Sequence, residues 1–302
     1  MTEKKLSRLL WTEKYRPKSW EEMMGLDSRI PKLVNQNMPH LLFVSPPGTG
    51  KTTCAKIIIN ELGCDYLLLN ASDERGIDTI RDKVKMFAMT LSSKKDIFKI
   101  VMLDEGDFLT PESQAVLRNL METYAKNCRF ILTANFENRI IDAIQSRCSK
   151  FTFKKVSDDE LLSLLKKICR SENIQYDESS LKKIIEVSRG DIRKSINILQ
   201  QNTRDSKLMS DIIEESNVKD IFEKLKQNKF DEVRKELIEK NTDYEQLIYD
   251  IYRYTVENKS INLEIRKRIV LEIAQTLYEM SFVLIKEIPF AKFLIRLEEN
   301  IK

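Results

Sequence analysis

Residues 40–63 read HLLFVSPPGTGKTTCAKIIINELG. The first five form a short apolar run, and the segment from Lys51 to Leu62 has helical spacing and closes at Gly63. Between them lies SPPGTGKTT, residues 45–53. A glycine-rich turn from strand to helix, ending in Lys-Thr, is a way to grip phosphate. Gly48 and Gly50 let backbone N–H groups converge on phosphate oxygens, and the helix directs its positive end at the anion. Lys51 would reach the β and γ phosphates, and the Thr52 hydroxyl would ligate Mg²⁺. The candidate nucleotide-binding residues are therefore Ser45, Pro46, Pro47, Gly48, Thr49, Gly50, Lys51, Thr52 and Thr53. The strict pattern has glycine where Ser45 stands, a departure that removes no functional group.

Outward from this turn, apolar runs alternate with helical patterns up to about residue 155: YLLLNAS, IDTIRDKVKMFAMTL, FKIVMLDE, PESQAVLRNLMETYA, CRFILTAN, RIIDAIQ and KFTFKK. Such alternation implies a parallel sheet covered on both faces, with ligands at the carboxyl ends of its strands. One strand end carries Asp104 and Glu105, a carboxylate for Mg²⁺ beside a base for an attacking water. Another ends in Asn135, a neutral amide able to orient that water, although an Asn at a strand end is also a common turn residue.

Composition narrows the classes further. The chain has 302 residues, enough for about two cores, with 32% charged residues and only seven glycines and seven prolines, which indicates a helix-rich fold. Lys and Arg outnumber Asp and Glu by only 51 to 47, so any nucleic-acid surface has to be a local stripe. The five cysteines form no C-x-x-C pair, which argues against a disulfide framework or zinc module. With His40 the only histidine, a His-dependent nucleophile at Cys148 has little support. The N-terminus does not read as a secretory signal and no apolar run approaches a membrane span, so a soluble intracellular protein with no membrane partner is expected.

Strand signals stop near residue 155. SDDELLSLLKKICR opens with a capping box, Ser157 and Glu160, and has an apolar stripe at 161, 164, 165 and 168. Two further helices follow, the second capped by Asp191. Residues 202–211, NTRDSKLMSD, read as a polar linker, and 211–302 is again helical, with Pro289 between the last two helices.

These features in this order resemble the AAA+ ATPases. Within that group, WTEKYRPKSWEEMMG, SPPGTGKTT, LNASDERGIDTIRDKVKMFA, LDEGD, ILTANFEN, QSRCSKFTF and GDIRKSINILQ are similar to the small-subunit family of replication factor C and its phage counterparts. The resemblance covers residues 8–201 closely. It implies an α/β AAA+ core over 1–155, a helical lid over 156–205 and an all-α domain over 206–302. That last segment, from its residues alone, could be a substrate domain or an oligomerisation collar; the resemblance favours the collar. ATP and Mg²⁺ are the implied cofactors. Tyr15, Arg16 and Pro17 would border the adenine, Asn135 and Arg193 would be sensors, and Arg147 would reach a neighbouring subunit's site as an arginine finger. A second departure is Gly106 in DEGD, where the family usually has Ala or Cys.

Two local features separate AAA+ functions. The place after the second strand, where unfoldases carry an aromatic loop, holds NASDERG, and TPESQAVLRNLMETYAKNC leaves no room for a helicase-type hairpin. On the helix from Ile77, the charges Arg81 and Lys85 stand beside an apolar stripe, a position that is often only a solvated face. The resemblance implies that they contact DNA phosphates, with Arg75 a further candidate. The implied function is a sliding-clamp loader subunit that acts with other loader subunits, in a ring or spiral of five, on the clamp and primer-template DNA. Its compartment would be the cytoplasm of a prokaryote or infected cell, or a eukaryotic nucleus. A non-hydrolysing nucleotide switch or scaffold, and an AAA+ remodeller of another substrate, are the alternatives.

Overall fold

The computed structural model describes residues 10–73, 76–90, 92, 98–204, 206–209, 218–239, 242–258 and 260–301. Five strands, β1 His40–Val44, β2 Tyr66–Asn70, β3 Lys99–Asp104, β4 Cys128–Ala134 and β5 Cys148–Thr152, form one sheet in the order β2-β3-β4-β1-β5. Every pairing is parallel. Successive side chains point to opposite faces, so the apolar runs divide into two layers. Leu42, Val44, Val101, Leu103, Phe130 and Leu132 meet Ile80, Val84, Leu117 and Met121 on one side. Leu41, Phe43, Ile100, Met102 and Ile131 meet Cys54, Ala55 and Ile58 on the other. The edge strand β2 differs, since Tyr66 and Leu68 are exposed where nothing described covers that face.

The crossover helices that supply these layers are α3 Lys51–Leu62, α4 Ile77–Met89 and α5 Pro111–Thr123, after two short N-terminal helices, α1 Trp11–Lys14 and α2 Arg29–Leu33. Gly50 and Gly63, both at positive φ, bound α3, and Thr110 caps α5 ahead of its proline. Residues 124–127 join α5 directly to β4, with no hairpin between them. The stretch RIIDAIQ yields only one helical turn, α6 Asp142–Gln145, before β5. From α5, Gln114, almost fully buried, donates to the carbonyls of Leu109 and Arg139 and accepts from the Ile141 N–H, tying α5 to the segment that precedes α6.

Three helices follow, α7 Asp158–Ser171, α8 Glu178–Ser188 and α9 Ile192–Gln201, around Leu161, Leu165, Ile168, Leu181, Ile184 and Leu199. The capping box forms as read, Ser157 accepting from the Glu160 N–H and Glu160 accepting from Ser157. The stretch read as a polar linker is more ordered than expected where it is described. Thr203–Arg204 pairs antiparallel with Lys207–Leu208, because Leu208 inserts into this helical core and Gln175 exchanges backbone hydrogen bonds with Ser206 and Leu208.

The chain divides into two compact units, Met1–Ile212 and Ile213–Lys302. The second holds α10 Val218–Lys226, α11 Phe230–Glu239, α12 Tyr244–Glu257, α13 Leu263–Met280 and α14 Glu287–Ile301. Its own core includes Phe222, Leu225, Ile248, Ile251, Ile269, Phe290 and Phe293. Pro289 lies inside the first turn of α14 rather than between helices, where its missing N–H costs no helical bond. No described helix is long and apolar enough to cross a membrane.

Candidate nucleotide-binding site

The carboxyl ends of β1, β3 and β4 open into a cavity of about 490 Å³ within the first unit. Its lining gathers Tyr15, Arg16 and Pro17 from the N-terminal segment, Pro47 through Thr53 from the glycine-rich turn, Asp104, Glu105 and Asn135 from strand ends, and Arg193 from α9. Ser45 and Pro46 are not part of that lining; Ser45 is buried and Pro46 is exposed.

Lys51 is 8% exposed and starts α3. Its Nζ donates to the carbonyls of Ser45 at 2.7 Å and Pro46 at 3.0 Å and to Asn135 Oδ1 at 2.9 Å. Burial pulls its pKa down to about 8, against the opposing influence of Asp104 and Asp107. Ser45 is not among the positive-φ residues, so glycine's freedom is not needed at that position. Its hydroxyl instead hydrogen-bonds Thr49 Oγ1 and lies 3.3 Å from Lys51 Nζ. Gly48 does need its identity: φ is +73°, and a Cβ there would lie 1.9 Å from Asp191 Oδ1.

Thr52 Oγ1 donates to both carboxylate oxygens of Asp104, at 2.9 and 3.1 Å. Among the described residues no group of three His, Cys, Asp or Glu side chains could hold a metal alone. Two hard oxygen donors beside a phosphate site suit Mg²⁺, which keeps waters and shares phosphate oxygens. The residues present therefore fit that ion, with Thr52 and Asp104 holding it. Glu105, at φ +57°, is turned out of the strand direction. Its N–H donates to Thr133 Oγ1 at 3.0 Å, and the same hydroxyl donates to Asp104 Oδ1 at 2.5 Å. Asn135 is anchored by its N–H to Asp107 Oδ1 at 3.2 Å; Asp107 is buried and its other oxygen has no hydrogen-bond partner.

On the lid side one hydrogen bond is local and others join distant segments. Asp191 caps α9 by accepting from the Lys194 N–H at 2.9 Å, and Arg193 projects from the first turn of that helix into the lining. Tyr15 donates to Glu172 Oε1 at 2.5 Å, and Lys14 Nζ lies 2.6 Å from the same oxygen. Thr133, Asp107, Asp191 and Glu172 were not among the residues singled out from sequence.

Arg147 does not line this cavity. It stands at the surface, donating to the Ala143 carbonyl at 2.6 Å and pairing with Glu122. Arg81 and Lys85 are exposed on α4, with Arg81 Nη1 at 3.5 Å from Asp78; Arg75 lies outside the described residues. Cys148 is a free thiol whose pKa burial pushes up to about 12, and His40 is held neutral by burial, down to about 4, accepting the Phe130 N–H. Neither is placed for nucleophilic chemistry.

The model of the ATPase family associated with various cellular activities matches residues 41–156, and that of the RCF1/5-like AAA+ ATPase lid domain matches residues 163–201. The chain is 49% identical over 204 residues to the replication factor C small subunit of Staphylothermus marinus, covering 65% of this chain and 62% of that protein. It is 47% identical over 213 residues to replication factor C small subunit 1 of Pyrobaculum islandicum, covering 68% and 65%. The chain thus spans a little under two thirds of the length of these relatives. Among solved structures, the Thermotoga maritima RuvB Holliday junction branch migration motor aligns with a TM-score of 0.53 at 18% identity, covering 70% of this chain and 79% of that one. At that identity the likeness concerns the fold alone.

Proposed function

The chain is an AAA+ protein homologous to the replication factor C small subunits, and from that premise we propose that it is an ATP-hydrolysing subunit of a sliding-clamp loader. In this reading Lys51 exchanges its loop carbonyls for phosphate oxygens, while Thr52 and Asp104 hold Mg²⁺, which supplies charge neutralisation. Glu105 takes a proton from the attacking water, Asn135 orients that water, and Arg193 touches the nucleotide from the lid. Tyr15, Arg16 and Pro17 border the base. Phosphate and ADP leave after the terminal P–O bond breaks.

One observation carries the further claim that active sites are shared between subunits. Six of the implied groups, Lys51, Thr52, Asp104, Glu105, Asn135 and Arg193, line one cavity, whereas Arg147 lies outside it on the surface of the same chain. An arginine held outside its own chain's site is available to serve a neighbour's, which supports that claim. The C-terminal helical unit is then a collar, and the assembly a five-membered ring or spiral that opens the clamp when it binds ATP and releases it on primer-template DNA. Arg81, Lys85 and Arg75 would contact that DNA.

The test is steady-state ATPase of the isolated chain and of the chain with its partner subunits, clamp and primed DNA. Turnover should rise with assembly and again with clamp and DNA. An isolated monomer working at the full assembled rate would overturn shared sites. Absence of turnover in the complete assembly would favour a nucleotide switch or scaffold, and absence of salt-dependent affinity for primer-template DNA would favour another substrate.

A further inference from the structure

We infer that Thr133 is a positioning residue that sets both acids of the site through one hydroxyl. The inference rests on the proposed roles of Asp104 and Glu105. Thr133 is 1% exposed and lies near the end of β4, one register step beyond the Leu103–Leu132 pair, which puts it opposite Asp104. A threonine hydroxyl has one hydrogen to give and lone pairs to receive. Here both capacities are used, and their directions are forced. A carboxylate only accepts, so the hydrogen goes to Asp104 Oδ1 at 2.5 Å. A backbone N–H only donates, so the Glu105 N–H points at the hydroxyl, at 3.0 Å.

The consequence falls on geometry at both acids. Glu105 sits at φ +57° and ψ +40°, a left-handed conformation that side-chain-bearing residues seldom adopt without support. The Thr133 hydroxyl supplies that support by receiving the amide of the strained residue itself. At Asp104, Thr52 is the other hydroxyl donor, and in the proposed function its oxygen is committed to Mg²⁺. Thr133 then becomes the hydroxyl that still holds the carboxylate. Branching at Cβ restricts the threonine to few rotamers, so the hydroxyl is presented in one direction without further packing. Thr133→Val retains the branched shape and removes the hydroxyl, taking the acceptor from the half-buried Glu105 N–H.

The experiment compares the full chain with Thr133→Val and Thr133→Ser. Affinity for a fluorescent ATP analogue is measured with Mg²⁺ and with EDTA, and kcat and KM are measured in the complete assembly. Thr133→Val should bind within about twofold of wild type in EDTA and lose about tenfold of the affinity gained from Mg²⁺. Its kcat should fall about 10- to 100-fold, the range for losing a hydrogen bond to a charged group, with KM changing less. Thr133→Ser should restore most of both, to within about fivefold of wild type. If Thr133→Val melts before assay temperature, Thr133→Ala carries the same comparison. Unchanged Mg²⁺ gain and kcat in a hydroxyl-less variant would overturn the inference. So would a folded Thr133→Ser as defective as Thr133→Val, or an equal loss of affinity with and without Mg²⁺, which would indicate general damage to the loop. A wild-type chain that bound no nucleotide would remove the proposed function and this inference together, whereas the other failures remove this one alone.

Discussion

The backbone N–H of Ile192 donates to the carbonyl of Gly48 across 3.2 Å, so the third lid helix is hydrogen-bonded directly to the phosphate-binding turn. Asp191, one residue earlier, packs its carboxylate where a Cβ on Gly48 would fall. Gly48→Ala therefore suffers twice, from positive φ and from the clash. Nucleotide affinity should fall about 10- to 100-fold, from strain of about 1–3 kcal/mol, while the thermal melt keeps the wild-type number of transitions. A fluorescence titration measures this. Adding Asp191→Ala should recover part of the loss; a double variant no better than the single one would show that the carboxylate is not the obstacle.

Lys51 gives nucleotide binding a defined pH dependence. Its pKa, brought down to about 8 by burial, means that the free site holds an ammonium below pH 8 and an amine above it. Phosphate favours the ammonium, so above pH 8 binding must take up a proton. Affinity should be level below that point and decline above it by up to about tenfold per pH unit until the bound-state pKa is reached. Lys51→Met should bind weakly and without that decline. A wild-type affinity constant from pH 7 to 9.5 would contradict the assignment.

What the sequence made legible here was local. The turn before α3, the acids ending β3 and the capping box of α7 each lie within a few consecutive residues, and their geometry follows from backbone rules. The contacts that escaped notice join distant segments. Thr133 reaches Asp104 from 29 residues away, and Tyr15 reaches Glu172 across 157. Neither partner has a motif of its own. A weak signal did exist for Thr133, a lone hydroxyl in the apolar run FILTA two residues before Asn135. Leu208 was missed for the converse reason, as two adjacent apolar side chains, Leu208 and Met209, in a polar stretch give no periodicity, yet the buried Leu208 is enough to pin a two-residue pairing to the lid core. The exposed face of β2 depends on strand order, which periodicity does not encode.

Gly106, the second departure from the family pattern, is not required by its backbone. It is absent from the positive-φ glycines, and an added Cβ would find ordinary contacts, 3.4 Å from the Thr133 carbonyl oxygen and 3.8 Å from Ile140 and Leu132 side-chain carbons. Gly106→Ala should stabilise the fold by about 0.4–1 kcal/mol through lower unfolded-state entropy. In a thermal melt that is a rise of roughly 1–4 °C, with ATPase unchanged. A lowered Tm would mean that the 3.4 Å approach cannot relax.

Contact of the exposed cations on α4 with DNA, as proposed, has a quantitative consequence. Each phosphate contact releases counterions and contributes about −0.9 to the slope of log affinity against log salt on duplex DNA, and about −0.7 on a single strand. Arg81→Ala and Lys85→Ala should each weaken primer-template binding at all sequences and flatten that slope by nearly one unit. Fluorescence anisotropy across a salt series separates this from a solvated face, for which the slope would not move. The loose 3.5 Å approach of Arg81 to Asp78 is no obstacle, because exposed pairs of this kind contribute roughly 0–1 kcal/mol.

Arg147 provides the sharpest separation between binding and turnover. Because it lies outside the cavity of its own chain, Arg147→Ala should leave ATP affinity of the isolated chain within about twofold of wild type. In the assembly, turnover should drop about 10³- to 10⁵-fold, the contribution of an arginine finger. Its pairing with Glu122 is exposed and should hold it back only slightly, so Glu122→Ala should change assembled turnover by less than about fivefold. Mixing resolves whose site is affected. A loader reconstituted with Arg147→Ala chains beside Lys51→Met chains loses the finger at one interface and phosphate binding at another. Sites that pair an intact Lys51 with an intact Arg147 from its neighbour should still turn over. If activity instead followed the fraction of chains carrying both residues intact, each chain would be serving itself, and the surface position of Arg147 would have to change on ATP binding.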